Sequence, residues 1–542
     1  MADDLGYNDV SYHGSEIWTP NLDQLAVMGV RLENYYTAPQ CAPSRAQFLS
    51  GRYSIHTGTQ HANFAPCRPV GLSLEYPTLA EEMQKLNYST HMIGKWHLGH
   101  HKEDYMPTNR GFDTFRGFLL GSGDHYKHSK KYGNRDGIDF YEGTTPFNNT
   151  YGMYSTHVFT RRAENIIKLH AKDEGKPMFI WLSYQAVHTP TQVPANYEAM
   201  YRHIPDKNRR RLAGMVAALD EGVGRVVQAL KDAGVYDNSV IVFSTDNGGQ
   251  AGAGSSNYPL RGNKNTQFEA GVKGVGFVSG PVLSRSGAVS EELIHITDWM
   301  PTLIHLAGGD ESQLDIDGVN QWPSINSGTS SPREEILLNM DELEVSSHPR
   351  SQSTVFDTRI QAGIRWQNWK LLTGDPGYHL WVPSPSQDYS LYNSIAEGIT
   401  NRKAALNETV FLYNINLDRA ETLNFVDMMP DLAANLLAKL SAYQNTSVSA
   451  YNPPYDRRCN PSKNGGFWGP YVGKIRKSKT KSEDENRQQQ RENRRKLEST
   501  KEPPRDRTET VPIIESNNGQ CLLLNMLKRE EERIEEICDQ EK

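Results

Sequence analysis

No stretch of about 18 consecutive apolar residues occurs in this chain of 542 residues, so we expect no membrane-spanning helix. No charge sign dominates either: 58 lysines and arginines stand against 65 aspartates and glutamates, for a net charge of −7. This balance does not indicate a polyanionic partner, although one pocket can still be locally basic. Cysteines number only five, so few disulfides can form. The hydrophobic residues, 37% of the chain, are enough for a large core.

Aromatic residues are absent from residue 474 onward, where lysine, arginine, glutamate, glutamine and serine dominate. Such a composition cannot bury enough apolar surface to fold, so we expect residues 475–510 to be disordered. The charges are mixed in sign and lack an aromatic platform, so we expect a solvated tail and no nucleic-acid partner. The last apolar residues are spaced for a short amphipathic helix, too short for a coiled coil. They are Leu524, Leu527, Ile534 and Ile537.

Strand-like and helical segments alternate along roughly the first 300 residues, the pattern of an α/β fold with a doubly wound sheet. One segment has apolar residues at steps of three and four, which predicts an amphipathic helix. Its apolar positions are Leu212, Met215, Val216, Leu219, Val223, Val226, Val227 and Leu230. The run 240–243 then predicts a buried strand, with Asp246 just past its carboxyl end. Ligands of open α/β sheets bind at that edge.

A change in composition marks a domain boundary. After Gly308 the sequence is rich in glycine, serine, aspartate and proline, and we place the boundary near residue 335. We therefore expect a first domain at 1–335, a smaller one at 336–473 and the tail at 474–542. Strand-like runs at 369–372 and 410–413, with a helix at about 432–443, are the predicted elements of the smaller domain.

The segment Cys-Ala-Pro-Ser-Arg at 41–45, followed three residues later by Leu-Ser-Gly-Arg at 49–52, is the most specific motif of the chain. A cysteine alone is more often a small buried residue than a functional one. Residues 44–49 predict the first turns of a helix. Cys41 would then lie beside the positive helix N-terminus, which is a natural site for an anion.

Two acidic pairs lie far apart in the sequence. Asp3 and Asp4 come near its start, and Asp246 and Asn247 begin an Asp-Asn-Gly-Gly segment after the predicted strand. Each pair alone is most simply a turn. If the pairs meet in the fold, their hard carboxylate and amide oxygens suit a Ca²⁺ ion.

Basic residues occur in three further motifs. Lys95 and His97 belong to Gly-Lys-Trp-His-Leu-Gly at 94–99, His188 follows the strand-like run 178–182, and Lys264 precedes a glycine-rich segment at 269–276. A lone histidine is more often structural, and most lysines only solvate a surface. Several cations around one anion would instead stabilise the negative charge that develops on a transferred group.

The cysteine motif resembles the sulfatase signature, and the acidic and basic motifs follow in the order of that family. The resemblance covers about residues 1–473 and is closest to the arylsulfatase B group, which includes N-acetylgalactosamine-4-sulfatase. Further matching segments are 34–37, 110–114, 121–126, 368–377 and 458–470. The resemblance implies an alkaline-phosphatase-like, doubly wound mixed sheet flanked by helices, with a smaller α+β domain of antiparallel strands and a helix.

The implied activity is hydrolysis of sulfate monoesters, either aryl sulfates or sulfated sugars such as N-acetylgalactosamine 4-sulfate in glycosaminoglycans. In sulfatases a formylglycine-generating enzyme oxidises the cysteine in the endoplasmic reticulum, and the hydrated aldehyde attacks sulfur. The resemblance implies this role for Cys41, and it makes Asp246 a candidate acceptor for the proton of the attacking hydroxyl. The implied ligands of one Ca²⁺ are Asp3, Asp4, Cys41, Asp246 and Asn247.

The resemblance also implies roles for the basic residues. Arg45 and Lys95 would hold the hydrate and its neighbours. His97 would take a proton from the second hydroxyl when the sulfated enzyme intermediate collapses. Lys95, His188 and Lys264 would bind the sulfate group. His188 and Lys264 would also protonate the departing alkoxide, as general acids.

One disulfide is implied by the same resemblance, between Cys67 and Cys459, whereas Cys521 and Cys538 in the tail should not join the core. Glycosylation sequons suit a secretory protein, and we expect it to be lysosomal or secreted. The sequons lie at Asn87, Asn148, Asn407 and Asn445. Sulfatases carry a signal peptide and an apolar strand before the paired aspartates, where this chain has only Met1-Ala2, so we expect a sequence truncated at its start.

Two alternatives stay open. A phosphodiesterase or phosphonate hydrolase of the same superfamily would share many of these residues, although the arylsulfatase B-like segments outside the signature disfavour it. A catalytically inactive sulfatase-like binding protein is the other alternative. No catalytic position is substituted, which favours an active enzyme.

Overall fold

The computed structural model describes residues 1–171, 175–347, 355–387, 390–392, 394–395 and 408–473. All of these residues lie within one compact unit, Met1–Lys474. Several expectations fall outside the described residues: the disordered stretch 475–510, the terminal helix, Cys521, Cys538 and the sequon at Asn407.

We number the strands and helices of the described residues in chain order. The strands are β1 (Val30–Leu32), β2 (Tyr35–Tyr36), β3 (Ser89–Lys95), β4 (Thr114–Phe118), β5 (Ser129–Tyr132), β6 (Arg135–Ile138), β7 (Tyr141–Glu142), β8 (Thr145–Pro146), β9 (Met178–Ser183), β10 (Ile241–Ser244), β11 (Gly276–Ser279), β12 (Ala288–Ser290), β13 (Ile294–His295), β14 (Glu335–Val345), β15 (Ile360–Trp366), β16 (Trp369–Thr373) and β17 (Val410–Asn414). The α-helices are α1 (Pro20–Met28), α2 (Cys41–Ser50), α3 (Ser54–Thr57), α4 (Leu79–Lys85), α5 (Ser155–His170), α6 (Ala195–Met200), α7 (Lys207–Asp232), α8 (Glu269–Val272), α9 (Trp299–Leu306), α10 (Trp322–Ser327) and α11 (Pro430–Thr446).

The central layer is a mixed sheet in two hydrogen-bonded parts. In the first part, β3 pairs in parallel with β4 on one side and with β9 on the other, and antiparallel β7 and β8 extend the sheet beyond β4. In the second part, β11 lies between β10 and β1 and is antiparallel to both, and β12 runs parallel to β1.

Residues 1–3 join the two parts. The Met1 amine donates to the Leu182 carbonyl in β9 at 2.8 Å. The Ala2 amide donates to the Ser244 carbonyl at the end of β10 at 2.9 Å, and this contact continues as a parallel bridge. Asp3 therefore emerges at the edge where β9 and β10 end.

Helices cover both faces of the central sheet. Ile93 of β3 belongs to a core with α1, α5 and α7, whereas its neighbour Met92 belongs to a core with α2, α4 and α9. Because successive side chains of a strand point to opposite faces, these cores lie on opposite sides of the sheet. The doubly wound arrangement expected from the sequence is confirmed.

A second sheet follows, with four antiparallel strands in the order β14-β15-β16-β17. Leu371 of β16 belongs to a core with Leu436 of α11, and the next residue, Leu372, belongs to a core with Phe268 beside α8. One face of this sheet thus carries its helix, and the other packs on the part of the chain that holds the central sheet. The antiparallel sheet with a helix is the one that the resemblance implied.

The predicted elements lie close to where the structure has them. The amphipathic segment is part of α7, and the buried strand overlaps β10. The helix predicted from residue 44 begins earlier, so that Cys41 is its first residue. Among the described helices, none is both long enough and apolar enough to span a membrane.

The last described residues return to earlier parts of the chain. The Tyr451 amide donates to the Gly58 carbonyl at 2.8 Å, and the Trp468 amide donates to the Ile138 carbonyl of the β5–β6 hairpin at 2.8 Å. A disulfide joins Cys67 to Cys459 with a Cα–Cα distance of 5.2 Å, inside the usual range of about 4.4–6.8 Å. This is the pairing that the resemblance implied.

Candidate active site

Cys41, at the start of α2, lies in a charged pocket and is only 1% exposed. Its sulfur is 3.3 Å from Nζ of Lys264, 3.6 Å from Oδ1 of Asp3 and 3.8 Å from Oδ1 of Asp4. Burial, with the nearby Asp246 carboxylate, raises the pKa of the thiol. The unmodified thiol is therefore a weak nucleophile, because the thiolate is the reactive form.

The two acidic pairs, more than 240 residues apart in sequence, meet at the sheet edge. The Asp4 amide donates to Oδ1 of Asp246 at 3.2 Å, and Nδ2 of Asn247 donates to Oδ1 of Asp4 at 2.8 Å. Asp4 adopts the left-handed backbone region, with φ of 59°. Aspartate tolerates this conformation better than most residues, which lets the chain turn directly after Asp3.

The residues present fit a divalent cation. Within the described part of the chain, one ligand atom from each of Asp3, Asp4, Cys41 and His188 lies within 4.8 Å of the others. Oδ2 of Asp4 and Oδ1 of Asn247 are buried acceptors without a hydrogen-bond partner there. Such acceptors are costly unless something satisfies them, and oxygen donors of this kind suit Ca²⁺.

Arg45 ties α2 to the end of β10. It is buried, and its Nε and Nη2 donate to Oδ2 of Asp246 at 3.0 Å and 2.8 Å. Its Nη1 donates to the Lys95 carbonyl at 3.1 Å and to the Ser183 hydroxyl. Burial alone would raise the pKa of Asp246, but Arg45 and Lys95 outweigh it and hold that pKa below its usual value. Asp246 is thus a charged carboxylate, although it lies outside the group of four converging ligand atoms.

Two lysines point into the same cluster. Nζ of Lys95 donates to both oxygens of Asp3, at 2.9 Å and 2.7 Å, and Nζ of Lys264 lies 2.5 Å from Oδ1 of Asp4. Burial opposes the ammonium form of Lys264, but Asp4 and Cys41 more than compensate and raise its pKa. Burial raises the pKa of Asp3 to about 7 against the opposing effect of Lys95. The pocket therefore offers fixed positive charge beside the Cys41 sulfur.

His188 reaches the cluster with one ring nitrogen. Its Nε2 lies 3.6 Å from Oδ2 of Asp4, and its Nδ1 lies 2.7 Å from the Thr189 carbonyl. Because a carbonyl only accepts, Nδ1 carries the hydrogen and the neutral ring presents a bare Nε2 to the pocket. Without a bound anion in the pocket, burial lowers the pKa of His188 to about 3.

His97 binds a backbone carbonyl, whereas the other basic residues predicted for the site contact carboxylates. Its Nε2 donates to the Phe64 carbonyl at 3.3 Å, and its Nδ1 is buried without a partner among the described residues. Burial and the charge of Lys95 keep its pKa well below the usual value. The neutral ring therefore has a free acceptor at Nδ1. It packs against Gly121, where an added Cβ would lie 2.6 Å from Cε1 of the ring.

Close approach of β3 and β9 explains one glycine of the basic motif. Gly94 has φ of 98°, and a Cβ there would lie 1.8 Å from the Ser183 carbonyl oxygen. Only glycine fits this position. The contact brings Lys95 and Ser183 to the same point, where both meet Arg45.

The sequence did not indicate a role for three residues of the site: Ser183, Asn63 and Lys130. Ser183 binds Arg45, and Oδ1 of Asn63 accepts from the Ala42 amide at 2.9 Å beside Cys41. Lys130, in β5, donates to the Ser122 hydroxyl, and burial together with Lys95 lowers its pKa. Ser122 lies in a segment that matches the family, but nothing in the pattern of Lys130 or Asn63 indicated a role.

Other predicted residues lie away from this cluster. Asn87, Asn148 and Asn445 are exposed, as glycosylation requires.

A cavity of about 580 Å³ lies away from the site. Its lining includes Lys273, Arg365 and other polar residues, but none of the residues of the Cys41 cluster.

Comparisons with known proteins agree with this geometry. Residues 1–309, more than half of the 542, match the family model described as Sulfatase. Arylsulfatase J of Mus musculus is 46% identical over 487 residues, covering 88% of this chain and 80% of that protein. N-acetylgalactosamine-6-sulfatase of Homo sapiens is 30% identical over 348 residues, covering 60% of this chain and 65% of that protein.

A solved structure shares the fold. The crystal structure of Ps i-CgsB in complex with k-i-k-neocarrahexaose has a TM-score of 0.69 at 26% identity, covering 84% of this chain and 94% of that chain. Sulfatases generally use a formylglycine and a metal ion, and the cluster around Cys41 has residues for both. The chain therefore belongs to the sulfatase family and is a sulfuric ester hydrolase.

Proposed function

We propose that this protein is an arylsulfatase-type enzyme that uses a formylglycine made from Cys41 and one bound Ca²⁺. The observation that supports this most directly is the surroundings of one sulfur. Cys41 lies 3.3 Å from the Lys264 ammonium and within 3.8 Å of Asp3 and Asp4. A reacting group at this position would have an anion-binding cation on one side and metal-binding carboxylates on the other.

Burial and the Asp246 carboxylate raise the pKa of the Cys41 thiol, and this favours the proposed modification. A neutral thiol attacks poorly, since the thiolate is the reactive form. The hydrated aldehyde of formylglycine supplies a hydroxyl nucleophile and a second hydroxyl that allows sulfate to be released. We assign proton acceptance to Asp246 and His97, because Asp246 is a carboxylate held by Arg45 and Nδ1 of His97 has no hydrogen-bond partner among the described residues.

Charge counting supports Ca²⁺ in this pocket. Three cations (Arg45, Lys95 and Lys264) are each paired with one of the three acidic side chains, so the cluster without a metal has no large excess of negative charge. A divalent cation on Asp3, Asp4, Asp246 and Asn247, with residue 41, would make the pocket positive and favour an anionic ester. When bound, such an ion supplies Lewis-acid polarisation and orientation.

Lys95, Lys264 and His188 are the residues we assign to the sulfate group. Fixed donors aimed at developing negative charge stabilise a transition state without reorganisation. An anion beside His188 favours its protonated form, which allows the ring to donate a proton to the departing oxygen. Lys264 is the second candidate donor, since its ammonium already lies beside residue 41.

For the substrate we propose a sulfated sugar of the glycosaminoglycan type, such as N-acetylgalactosamine 4-sulfate, as well as small aryl sulfates. Relatives of this chain include an N-acetylgalactosamine-6-sulfatase, and the solved Ps i-CgsB complex holds a neocarrahexaose. We also propose maturation in the endoplasmic reticulum by a formylglycine-generating enzyme, followed by a lysosomal or secreted location. The disulfide supports an oxidising compartment.

A phosphodiesterase or phosphonate hydrolase is the alternative activity, and an inactive binding protein is the alternative class. The experiment that separates them uses the full chain coexpressed with a formylglycine-generating enzyme. We expect turnover of 4-nitrocatechol sulfate and loss of at least about a thousand-fold in Cys41→Ala, since the nucleophile is removed.

Mass spectrometry of the peptide containing residue 41 is the matching chemical readout. We expect the thiol to be lost and an aldehyde gained in the active protein. An alanine variant that keeps most of its activity would refute the mechanism. Faster turnover of a phosphodiester or phosphonate than of any sulfate ester would favour the alternative enzyme.

A further inference from the structure

Three side chains, from segments that also reach the pocket around Cys41, form a continuous polar and aromatic patch. The Tyr132 hydroxyl donates to the Tyr455 hydroxyl at 2.7 Å, and their ring centroids are 6.2 Å apart. The Arg68 guanidinium lies over the Tyr455 ring, 4.8 Å from its centroid. Tyr455 is 55% exposed, so much of its ring stays accessible to a ligand. We call Arg68, Tyr132 and Tyr455 the rim cluster.

Two chain segments connect the rim cluster to the pocket around Cys41. The segment that carries Arg68 begins at Asn63, which binds the Ala42 amide, and at Phe64, which binds His97. Arg68 is five positions after Asn63, so their Cα atoms lie within about 17 Å of each other. A short oligosaccharide can span such a distance.

The second connection is strand β5. Lys130 and Tyr132 are two residues apart and therefore point to the same face of the strand. Lys130 reaches Ser122 and lies close enough to Lys95 for that charge to lower its pKa. One strand face thus runs from the sulfate-binding lysines to the rim cluster.

The rim cluster is rigid for a surface feature. Cys67, next to Arg68, is bonded to Cys459, and the Asp456 amide donates to the Cys67 carbonyl at 2.8 Å. Arg68 is also held by its contact with the Tyr455 ring. Neither Arg68 nor Lys130 has a carboxylate within ion-pair distance in the part of the chain that the structure describes. A cation that is already held in place, and that has no anionic partner, loses little conformational entropy and breaks no ion pair when it binds an anion.

We infer that the rim cluster is a subsite for the sugar residues next to the sulfated one, with Tyr455 stacking on a ring and Arg68 pairing with its carboxylate or second sulfate. This inference rests on the proposed function and deepens it. Tyrosine offers a rigid, amphipathic surface that suits a sugar, apolar on its ring faces and wet at its edge. The ligand class is an acidic oligosaccharide of at least two residues.

The test compares a small and a large substrate of the same enzyme. For Arg68→Ala and Tyr455→Ala we measure kcat/KM on 4-methylumbelliferyl sulfate and on a chondroitin 4-sulfate tetrasaccharide. We expect the ratio of oligosaccharide to aryl sulfate kcat/KM to fall about ten-fold or more, as the loss of a charged or stacking contact predicts. Tyr455→Phe keeps the ring and should keep the ratio near that of the wild type.

The matched control is a remote pair of the same chemistry. Nζ of Lys231, in the last turn of α7, lies 5.0 Å from the centroid of the Tyr236 ring, and Tyr236 precedes β10, whose other end leads to Asp246. Lys231→Ala and Tyr236→Ala should change neither kcat/KM. If Arg68→Ala and Tyr455→Ala leave the ratio unchanged, or lower both values equally, the inference is wrong.

A binding measurement separates this inference from the proposed function. Calorimetry with the tetrasaccharide on Cys41→Ala protein, with and without Arg68→Ala, needs no turnover. We expect binding about ten-fold weaker in the double variant, and a smaller difference at high salt because ions screen the pairing. A wild type without sulfatase activity whose binding still depends on Arg68 refutes the proposed function and supports the subsite. Equal binding by both proteins refutes the subsite.

Discussion

Arg45 and Asp246, 201 residues apart in sequence, form an ion pair in which two guanidinium nitrogens share one carboxylate oxygen at 3.0 Å and 2.8 Å. Arg45 follows Cys41 by one helical turn, so the pair fixes the reactive end of α2 against the end of β10. The other oxygen of Asp246 accepts from the Asp4 amide. One carboxylate therefore couples the position of residue 41 to that of the proposed metal ligands.

The first prediction concerns Ca²⁺. Asp4→Asn keeps the side-chain shape but removes a charge, so it should weaken metal binding and reduce turnover by at least about a hundred-fold. Ca²⁺ at about 100 times its Kd should stabilise the wild type by about 2.7 kcal/mol, and the variant by much less. Thermal unfolding with Ca²⁺ or with chelator gives this readout without substrate. Asp310→Asn, an exposed change, is the control. A wild type that unfolds at the same temperature in both conditions would contradict the assignment.

The second prediction concerns the leaving group. A sugar alkoxide is more basic than a phenolate, so its departure depends more on a proton donor, and general acids contribute about 10²–10⁴-fold. His188→Asn should therefore lower kcat on a sulfated sugar far more than kcat on 4-nitrocatechol sulfate. Steady-state kinetics on both substrates is the measurement. Equal losses would show that His188 binds the sulfate without donating the proton.

The third prediction concerns the disulfide. Cys67→Ser and Cys459→Ser should each lower the free energy of unfolding by about 2–5 kcal/mol. Without the bond, the unfolded chain is no longer closed into a loop spanning 392 residues and gains conformational entropy. The double variant should be no less stable than either single one, since all three lose the same bond. Urea unfolding of the four proteins measures this. Additive losses would mean that the two cysteines act separately.

The fourth prediction concerns pH. Burial lowers the pKa of His100 from 6.5 to about 4, and its Nε2 donates to the Pro66 carbonyl at 2.8 Å. Between these two pKa values the unfolded chain binds more protons than the folded one. Stability is therefore fully present above pH 6.5 and is lost as the pH falls toward 4. At about pH 5 the loss from this one histidine is about 2 kcal/mol.

His100→Gln should remove the loss of stability that His100 causes between pH 7.5 and pH 5, whatever the substitution does to the free energy of unfolding at neutral pH. Urea unfolding near pH 7.5 and pH 5 gives the difference. His203→Gln, at an exposed position, should leave the pH dependence as it is in the wild type. A His100→Gln protein with the wild-type pH dependence would disprove the assignment.

The sequence was enough to predict the elements that repeat a simple pattern. The helix α7 and the strand β10 follow from apolar spacing, whereas each acidic pair alone is most simply a turn, and the ligand role of the pairs is what the resemblance to sulfatases implies. Lys130 and Asn63 could not be found in this way. Each reaches the site through a long-range contact, Lys130 from a hairpin that Trp468 holds in place and Asn63 from a loop without regular spacing. No local periodicity records such contacts.

The position of His97 shows the same limit. Its motif identified the residue, but the structure shows that its ring binds the Phe64 carbonyl and leaves Nδ1 free. The proton-accepting nitrogen depends on where Phe64 lies, which the motif around residues 94–99 does not contain.

The 1% exposure of Cys41 has a consequence for the order of events during biosynthesis. An enzyme that converts this residue needs access to it, and the folded pocket gives none. If Cys41 is converted to formylglycine as we propose, the conversion would therefore precede the packing of α2 against β3 and β10. In that proposed maturation, a chain that folds first would keep its thiol, so the active fraction would depend on the relative rates of folding and modification. Substitutions that slow folding without unfolding the product should raise that fraction.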